Sequence, residues 1–282
     1  MANLRDIKKR IRSITNTSKV THAMELVAAA KMRKAQEKTL LSRPYTITLH
    51  LIITSLHGKA REKAHRLLWA KQSSYRMIIL LSSDRGLVGG MNLNLFREIS
   101  KFEIKTLKLV TVGKKATRFS SRMGFPILAS FHSEEVPFLE LARTLSKFAI
   151  SSFVSAEVAS VHLLYPQFAS TVKQIPTIKR ILPIQLEAET ANGRPATETI
   201  IFEPSADHIL KGILPHHVLT DIYQALLEAK ASEHSARMVA MKNATDAAND
   251  LVDDLTLSYN QARQETITKE ILDIVTAQSA FE

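Results

Sequence analysis

Residues facing one way recur at alternating intervals of three and four near the start of the chain: Leu4, Ile7, Ile11, Ile14, Ser18, Thr21, Glu25 and Ala28. That spacing is the narrow seam of a coiled coil. It is polar in its middle, with Val20, Met24 and Val27 alongside. No Gly or Pro interrupts residues 4–43, so the spacing predicts one helix stopped by Pro44. Beyond it a helix resumes through Leu49, Ile52 and Leu56 to Gly58.

The last quarter repeats the pattern at greater length. From His216 to Glu282 there is again no Gly or Pro, and Ala, Leu, Glu, Lys, Gln and Met dominate. These are strong helix formers. A continuous helix here would reach about 100 Å. Ile222, Leu226, Ala229, Ala236, Ala240, Ala247, Leu251 and Leu255 form its seam, small enough for a partner backbone to approach closely. A helix within an ordinary compact core is the plainer alternative, but such helices run 8–20 residues. This one needs an equally long partner.

Between the arms the pattern changes to short apolar runs alternating with helical ones. Tyr75 to Ser82 and Leu107 to Val112 predict buried strands, and Glu157 to Tyr165 and Lys179 to Leu186 predict further ones. Helices are expected over LNLFREISKF, after Gly113 and over residues 137–154. A polar loop falls at Asn192-Gly193-Arg194-Pro195, and residues 205–214 form a short helix leading to Pro215 in the first turn of the long one. The expected organisation is therefore mixed α+β. A helical arm spans 1–58, a Rossmann-like α/β domain 70–205, and a second arm 206–282 pairs with the first as an antiparallel coiled coil.

Charge supports pairing the arms. Residues 1–40 carry Arg5, Lys8, Lys9, Arg10, Arg12, Lys19, Lys31, Arg33, Lys34 and Lys38 against Asp6, Glu25 and Glu37. Residues 221–282 carry eleven acidic and five basic side chains, including Asp246, Asp250, Asp253 and Asp254. Opposite signs favour association of the two seams. The net charge of +11 invites a nucleic-acid partner, but the basic arm lacks the interleaved aromatics of a single-strand binder. With no cysteine, disulfides, zinc–thiolate sites and thiol catalysis are excluded. No apolar run approaches 18 residues, so none spans a bilayer. A signal peptide is not expected, and the Arg-rich start is not read as a transit peptide because its seam runs on without a break.

One motif resembles a ligand cradle. Asp84-Arg85-Gly86-Leu87-Val88-Gly89-Gly90 lies between a strand and a helix, where glycines can hold phosphate at a helix N-terminus. It is neither GxGxxG nor GxxxxGK[ST], and the expectation is a tight turn. His216 and His217 are adjacent and point to different faces, while His22, His50, His57 and His65 lack carboxylates at ligand spacing. Asp253-Asp254 and Glu134-Glu135 read as solvated faces. No catalytic constellation emerges, and no metal or cofactor is called for.

Three stretches carry a resemblance. NTSKVTHAMELVAAAKMRKAQ, SSDRGLVGGMN and ASEHSARMVAMKNATDAANDL…YNQARQETITKEILDIV stand in the order found in the γ subunit family of F-type ATP synthases. The resemblance implies two long terminal helices in an antiparallel coiled coil and a central α/β domain. It implies a non-catalytic rotor shaft inside a ring of three α and three β subunits, standing with ε on the membrane c-ring. It places shaft–ring contacts at Met24, Arg237, Arg263, Gln264, Thr268 and Glu270, and a greasy bearing at Ile271 to Val275. Many members have Cys where Val88 stands, so a thiol role there is lost. The chloroplast regulatory insertion is missing, and the lack of a transit peptide favours a bacterial source, peripheral to the cytoplasmic face of the plasma membrane. The rival is a stand-alone nucleotide- or phosphate-binding α/β enzyme built on the glycine turn.

Overall fold

The computed structural model describes residues 4–56, 65–133, 136–185, 203 and 205–279. The expected loop at Asn192-Gly193-Arg194-Pro195, the helix end at Gly58, Glu134-Glu135 and His57 lie outside these residues. The elements are α1 (Leu4–Ser55), β1 (Arg76–Leu81), α2 (Met91–Ile99), a 3-10 turn (Ile104–Thr106), β2 (Leu107–Val112), α3 (Lys114–Arg122), β3 (Ile127–Phe131), α4 (Phe138–Val154), β4 (Ser160–Phe168), β5 (Gln174–Leu182) and α5 (Ala206–Ser279). Packing divides them into two compact units, residues 1–28 with 237–282, and residues 29–236.

In the first unit the α1 seam is as its spacing dictates: Ile7, Ser18 and Ala28 are buried, and Leu4, Ile11, Ile14, Thr21 and Glu25 half-buried. Ser18 Oγ donates to Asn249 Oδ1 at 2.7 Å, and Thr245 Oγ1 to Thr21 Oγ1 at 2.7 Å. Rising numbers on α1 meet falling ones on α5, so the pair is antiparallel. The facing line of α5 runs through Met241, Ala244, Thr245, Ala248, Val252, Leu255, Tyr259 and Ala262. This corrects the expected seam by one residue at Ala247 and Leu251, which are exposed. Small or apolar residues occupy both candidate positions, Ala247 beside Ala248 and Leu251 beside Val252, so only packing against α1 fixes the phase. Val20 and Val27 also face outward. Lys8, Lys9, Arg12, Lys19, Asp246, Asp250, Asp253 and Asp254 are exposed, and the two seam bonds join neutral side chains.

In the second unit the α1 heptad continues through Met32, Ala35, Thr39, Ser42, Thr46, Leu49, Ile53 and Leu56, all buried or half-buried. A strict 3.5-residue repeat keeps one face toward a partner only if the helices supercoil. Pro44 does not stop α1, contrary to expectation. It lies on the outer side, and the carbonyl it cannot serve belongs to exposed Leu40, where water is available. Pro215 likewise falls inside α5 rather than at its head. Its orphaned carbonyl belongs to exposed Lys211.

The sheet order is β3-β2-β1-β4-β5, with the first four strands parallel and β5 antiparallel at the edge. This is a doubly wound, Rossmann-like arrangement. Met77, Ile79 and Leu81 of β1 pack with α4 and with Leu49, Ile53, Leu214 and Ile222 of α1 and α5. Ile78 and Leu80 face α2 and α3. Strand β3 escaped the sequence reading because its residues are half-exposed and it pairs only with β2. Strand β5 begins at Gln174, five residues before the expected Lys179, because its ladder on β4 starts at Phe168–Gln174. β4 likewise begins at Ser160 rather than Glu157.

Candidate functional site

The glycine turn follows β1, at the carboxyl edge of the parallel strands where doubly wound folds bind ligands. Here the chain fills that position itself. The first three N–H groups of α3 are all taken: Lys114 N donates to Asp84 Oδ1 at 3.0 Å, Lys115 N to the Ser83 carbonyl at 3.2 Å, and Ala116 N to Ser82 Oγ at 2.8 Å. Asp84 Oδ2 also accepts from Ser133 N at 3.1 Å and Ser133 Oγ at 2.6 Å. Burial pushes the Asp84 carboxyl up, but these hydrogen bonds and the charge of Lys230 outweigh it and hold it below the usual carboxylate range. A fixed carboxylate thus stands where a bound phosphate would.

Side chains of the turn are engaged as well. Asn92 Oδ1 accepts from Ser83 N at 3.3 Å and its Nδ2 donates to Ser83 Oγ at 2.7 Å. Val88 and Met91 bury themselves with Ala236 of α5. At Gly113, φ is +98° and a Cβ would come 2.3 Å from the Ser82 carbonyl oxygen, so only glycine fits. The expectation of a tight turn at Asp84–Gly90 is what the geometry supports.

A second polar cluster lies beneath α5 in the same unit. Asp221, nearly fully buried, pairs with Lys179 at 3.0 Å and lies 3.7 Å from His217 Nε2. Burial lowers the His217 pKa; Asp221 opposes the shift, while Lys179 and two neighbouring histidines reinforce it. The sequence reading missed this pairing because Lys179 comes from a strand 42 residues away from Asp221. It also missed a carboxylate beside His22, whose Nδ1 lies 3.3 Å from Glu25 Oε2, one helical turn on. Among the described residues, no three His, Cys, Asp or Glu side chains converge as metal ligands.

The sequence-derived contact residues all fall in the first unit. Met24 is half-buried beside the seam, and Arg237 is half-buried and engaged within the chain. Arg263, Gln264, Thr268 and Glu270 are exposed. Helical spacing puts Arg263, Ile267, Glu270 and Ile274 on one stripe and Gln264, Thr268, Ile271 and Val275 on the next. Thr268 Oγ1 donates back to the Gln264 carbonyl at 2.9 Å. From Arg263 to Thr276 every residue is exposed, including Ile267, Ile271, Leu272, Ile274 and Val275. The structure therefore brings these four together on the end of α5, and leaves Met24 and Arg237 elsewhere along the helices. Ile267 and Ile274 were not singled out by the sequence reading, although their spacing from Arg263 was visible.

The ATP synthase family model matches residues 3–281. The chain is 40% identical over 293 residues to the ATP synthase gamma chain of Opitutus terrae, covering 99% of each. With that of Methylacidiphilum infernorum it shares 41% identity over the full length of both. The chain belongs to the ATP synthase gamma-chain family. The fold also appears in solved structures. A chain of the Euglena gracilis mitochondrial ATP synthase (OSCP/F1/c-ring) superimposes with a TM-score of 0.71 at 17% identity, over 99% of this chain and 94% of that one. A Tetrahymena thermophila mitochondrial ATP synthase chain (central stalk/c-ring) gives 0.60 at 20% identity, over 80% and 99%. Both likenesses show that this fold occurs in chains of mitochondrial ATP synthase structures.

Proposed function

We propose that this chain is the central rotor shaft of an F1Fo ATP synthase, a non-catalytic subunit that couples rotation of a membrane ring to nucleotide chemistry on a surrounding ring. The observation that carries the reading is the end of α5. Fourteen consecutive exposed residues, Arg263 to Thr276, include five large apolar side chains. Such a surface marks a site of contact with a partner, and end-to-end similarity to gamma chains supports the ring as that partner. Three α and three β subunits surround the shaft, and ε and the c-ring lie at its foot.

The working division is an N-terminal arm at 1–58, a central domain at 70–205 and a C-terminal arm at 206–282 pairing with the first. Ile271 to Val275 form a greasy bearing. Met24, Arg237, Arg263, Gln264, Thr268 and Glu270 meet the α/β ring. An asymmetric shaft presents a different face to each β subunit and so biases each toward a different nucleotide affinity. This coupling is reciprocal: nucleotide occupancy biases the shaft in turn. No helix among the described residues is long and apolar enough to cross a membrane. The chain is membrane-associated through its complex, and we place it on the cytoplasmic side of the plasma membrane.

The rival reading, an enzyme using the glycine turn, is disfavoured because the chain matches gamma chains over its full length. The test is to purify the native assembly through a tag on the central domain and weigh it intact. One copy with three each of two nucleotide-binding subunits is expected, and removing residues from Gln264 onward should uncouple hydrolysis from proton pumping. A lone chain that turns over nucleotide overturns the proposal.

A further inference from the structure

Three basic side chains stand in a row on one face of the central sheet, away from the glycine turn and from α5. Arg76 opens β1, His162 lies on β4 and Arg180 on β5. Strand register places them together. Arg76 pairs with Ser160 and Arg180 with His162, so all three share the face on which Ile78, Leu80 and Leu164 meet α2 and α3. Lys179, the neighbour of Arg180 on β5, points to the other face and pairs there with Asp221 at 3.0 Å. Strand spacing and rise put the Arg76 and Arg180 Cβ atoms about 12 Å apart, with the imidazole between them. Two extended guanidinium arms can close that gap over one small anion.

The charges bearing on this row are of one sign. Burial, then Arg76 and Arg180, push His162 down to about 4. The ring is therefore neutral at pH 7, and two guanidiniums flank it. Among the described residues no carboxylate pairs with either of them. Like charges side by side on a sheet are destabilising, and an anion between them turns that repulsion into attraction. The ring is set to help. Its Nδ1 is buried without a hydrogen-bond partner, so the neutral imidazole carries its proton on Nε2, as a donor. Arg76 and Arg180 are exposed and His162 half-buried, which leaves the row open to solvent. A guanidinium fork suits phosphate and carboxylate alike. Donors converging from three strands match the several oxygens of a tetrahedral anion, whereas a carboxylate has only two.

We infer that Arg76, His162 and Arg180 form a binding site for a phosphate group, free or carried by a nucleotide, with each side chain donating to a different oxygen. The site takes part in no chemistry. It lies wholly within the second unit, so it does not depend on the shaft reading.

The purified full-length chain, with its histidines isotope-labelled, is titrated by NMR with inorganic phosphate and with ATP. Sodium chloride and sodium acetate at matched ionic strength are the controls, and His162→Gln identifies the His162 resonance. Phosphate or ATP should shift that resonance saturably and raise its titration midpoint from about 4, because a bound anion favours the imidazolium. Saturation by phosphate alone assigns the free anion, and saturation by ATP only assigns a nucleotide phosphate. Each hydrogen bond from a guanidinium to the anion should contribute about ten-fold in affinity, so Arg76→Gln and Arg180→Gln should each weaken binding about ten-fold. Lys147→Gln, on α4 across the sheet, should leave binding unchanged, and circular dichroism checks that all the variants are folded. No saturable shift with either ligand, the same shift with chloride or acetate, or unchanged affinity in the folded arginine variants overturns the inference. The mass of the native assembly does not enter this measurement, so the two proposals fail separately.

Discussion

Asp84 is the residue whose loss should most disturb the central unit without touching any apolar contact. Its side chain is 7% exposed. It accepts from Lys114 N at 3.0 Å, Ser133 N at 3.1 Å and Ser133 Oγ at 2.6 Å. In Asp84→Ala these three donors lose an ionised acceptor. A hydrogen bond to a charged group contributes about 1.5–3 kcal/mol, and stranding a buried donor costs about 1–3 kcal/mol. The Ser133 hydroxyl can rotate toward water and the opened site admits some solvent, so the expected net loss is about 3–5 kcal/mol. Asp84→Asn keeps one oxygen acceptor but turns an NH2 group toward a donor, and should lose about 1–3 kcal/mol. Because the folded carboxyl titrates below its unfolded value, its contribution is complete above the unfolded pKa and vanishes as pH falls through the folded one. The gap between native chain and Asp84→Asn should therefore close on acidification below about pH 4. Urea unfolding followed by Trp69 emission reads the unit that holds both residues. A loss under about 1 kcal/mol for Asp84→Ala at neutral pH would refute the claim that this carboxylate anchors α3.

Two further outcomes follow from the same geometry. Pro44→Ala restores the donor missing from α1 and should raise stability by about 2 kcal/mol, seen as a Tm increase of about 4–8 °C; an unchanged or lower Tm would mean that the proline is required by the seam. His162 is pushed down to about 4 by burial and by the charges of Arg76 and Arg180. Its folded pKa lies below the unfolded one, so stability is full above about pH 6.5 and falls toward pH 4. For this partly buried ring the loss is about 1–2 kcal/mol, and His162→Gln should flatten that slope in urea midpoints measured between pH 7 and 5.

What could be read from the chain alone was periodic. The α1 seam from Leu4 to Ala28 was legible because a 3.5-residue spacing has only one helical face to occupy. Strands β1 and β2 were legible because their apolar runs are buried on both sides. The apolar turn at Ile271 to Val275 was singled out only through the family resemblance, and its exposure is a finding of the structure.

Where neighbouring positions were equivalent, sequence was silent. Ala247 and Ala248, or Leu251 and Val252, are interchangeable as text, and contact with α1 selects Ala248 and Val252. Pro44 and Pro215 read as stops because local rules count the lost hydrogen bond, whereas the packing on either side and the solvent beside Leu40 and Lys211 make that loss bearable. The closure of the glycine turn depends on Asp84 meeting Lys114 and Ser133, thirty and forty-nine residues away. A sequence fixes which residues are able to make such bonds. Only the folded sheet, by placing the ends of β1, β2 and β3 side by side, decides that a carboxylate rather than a ligand fills the α3 N-terminus.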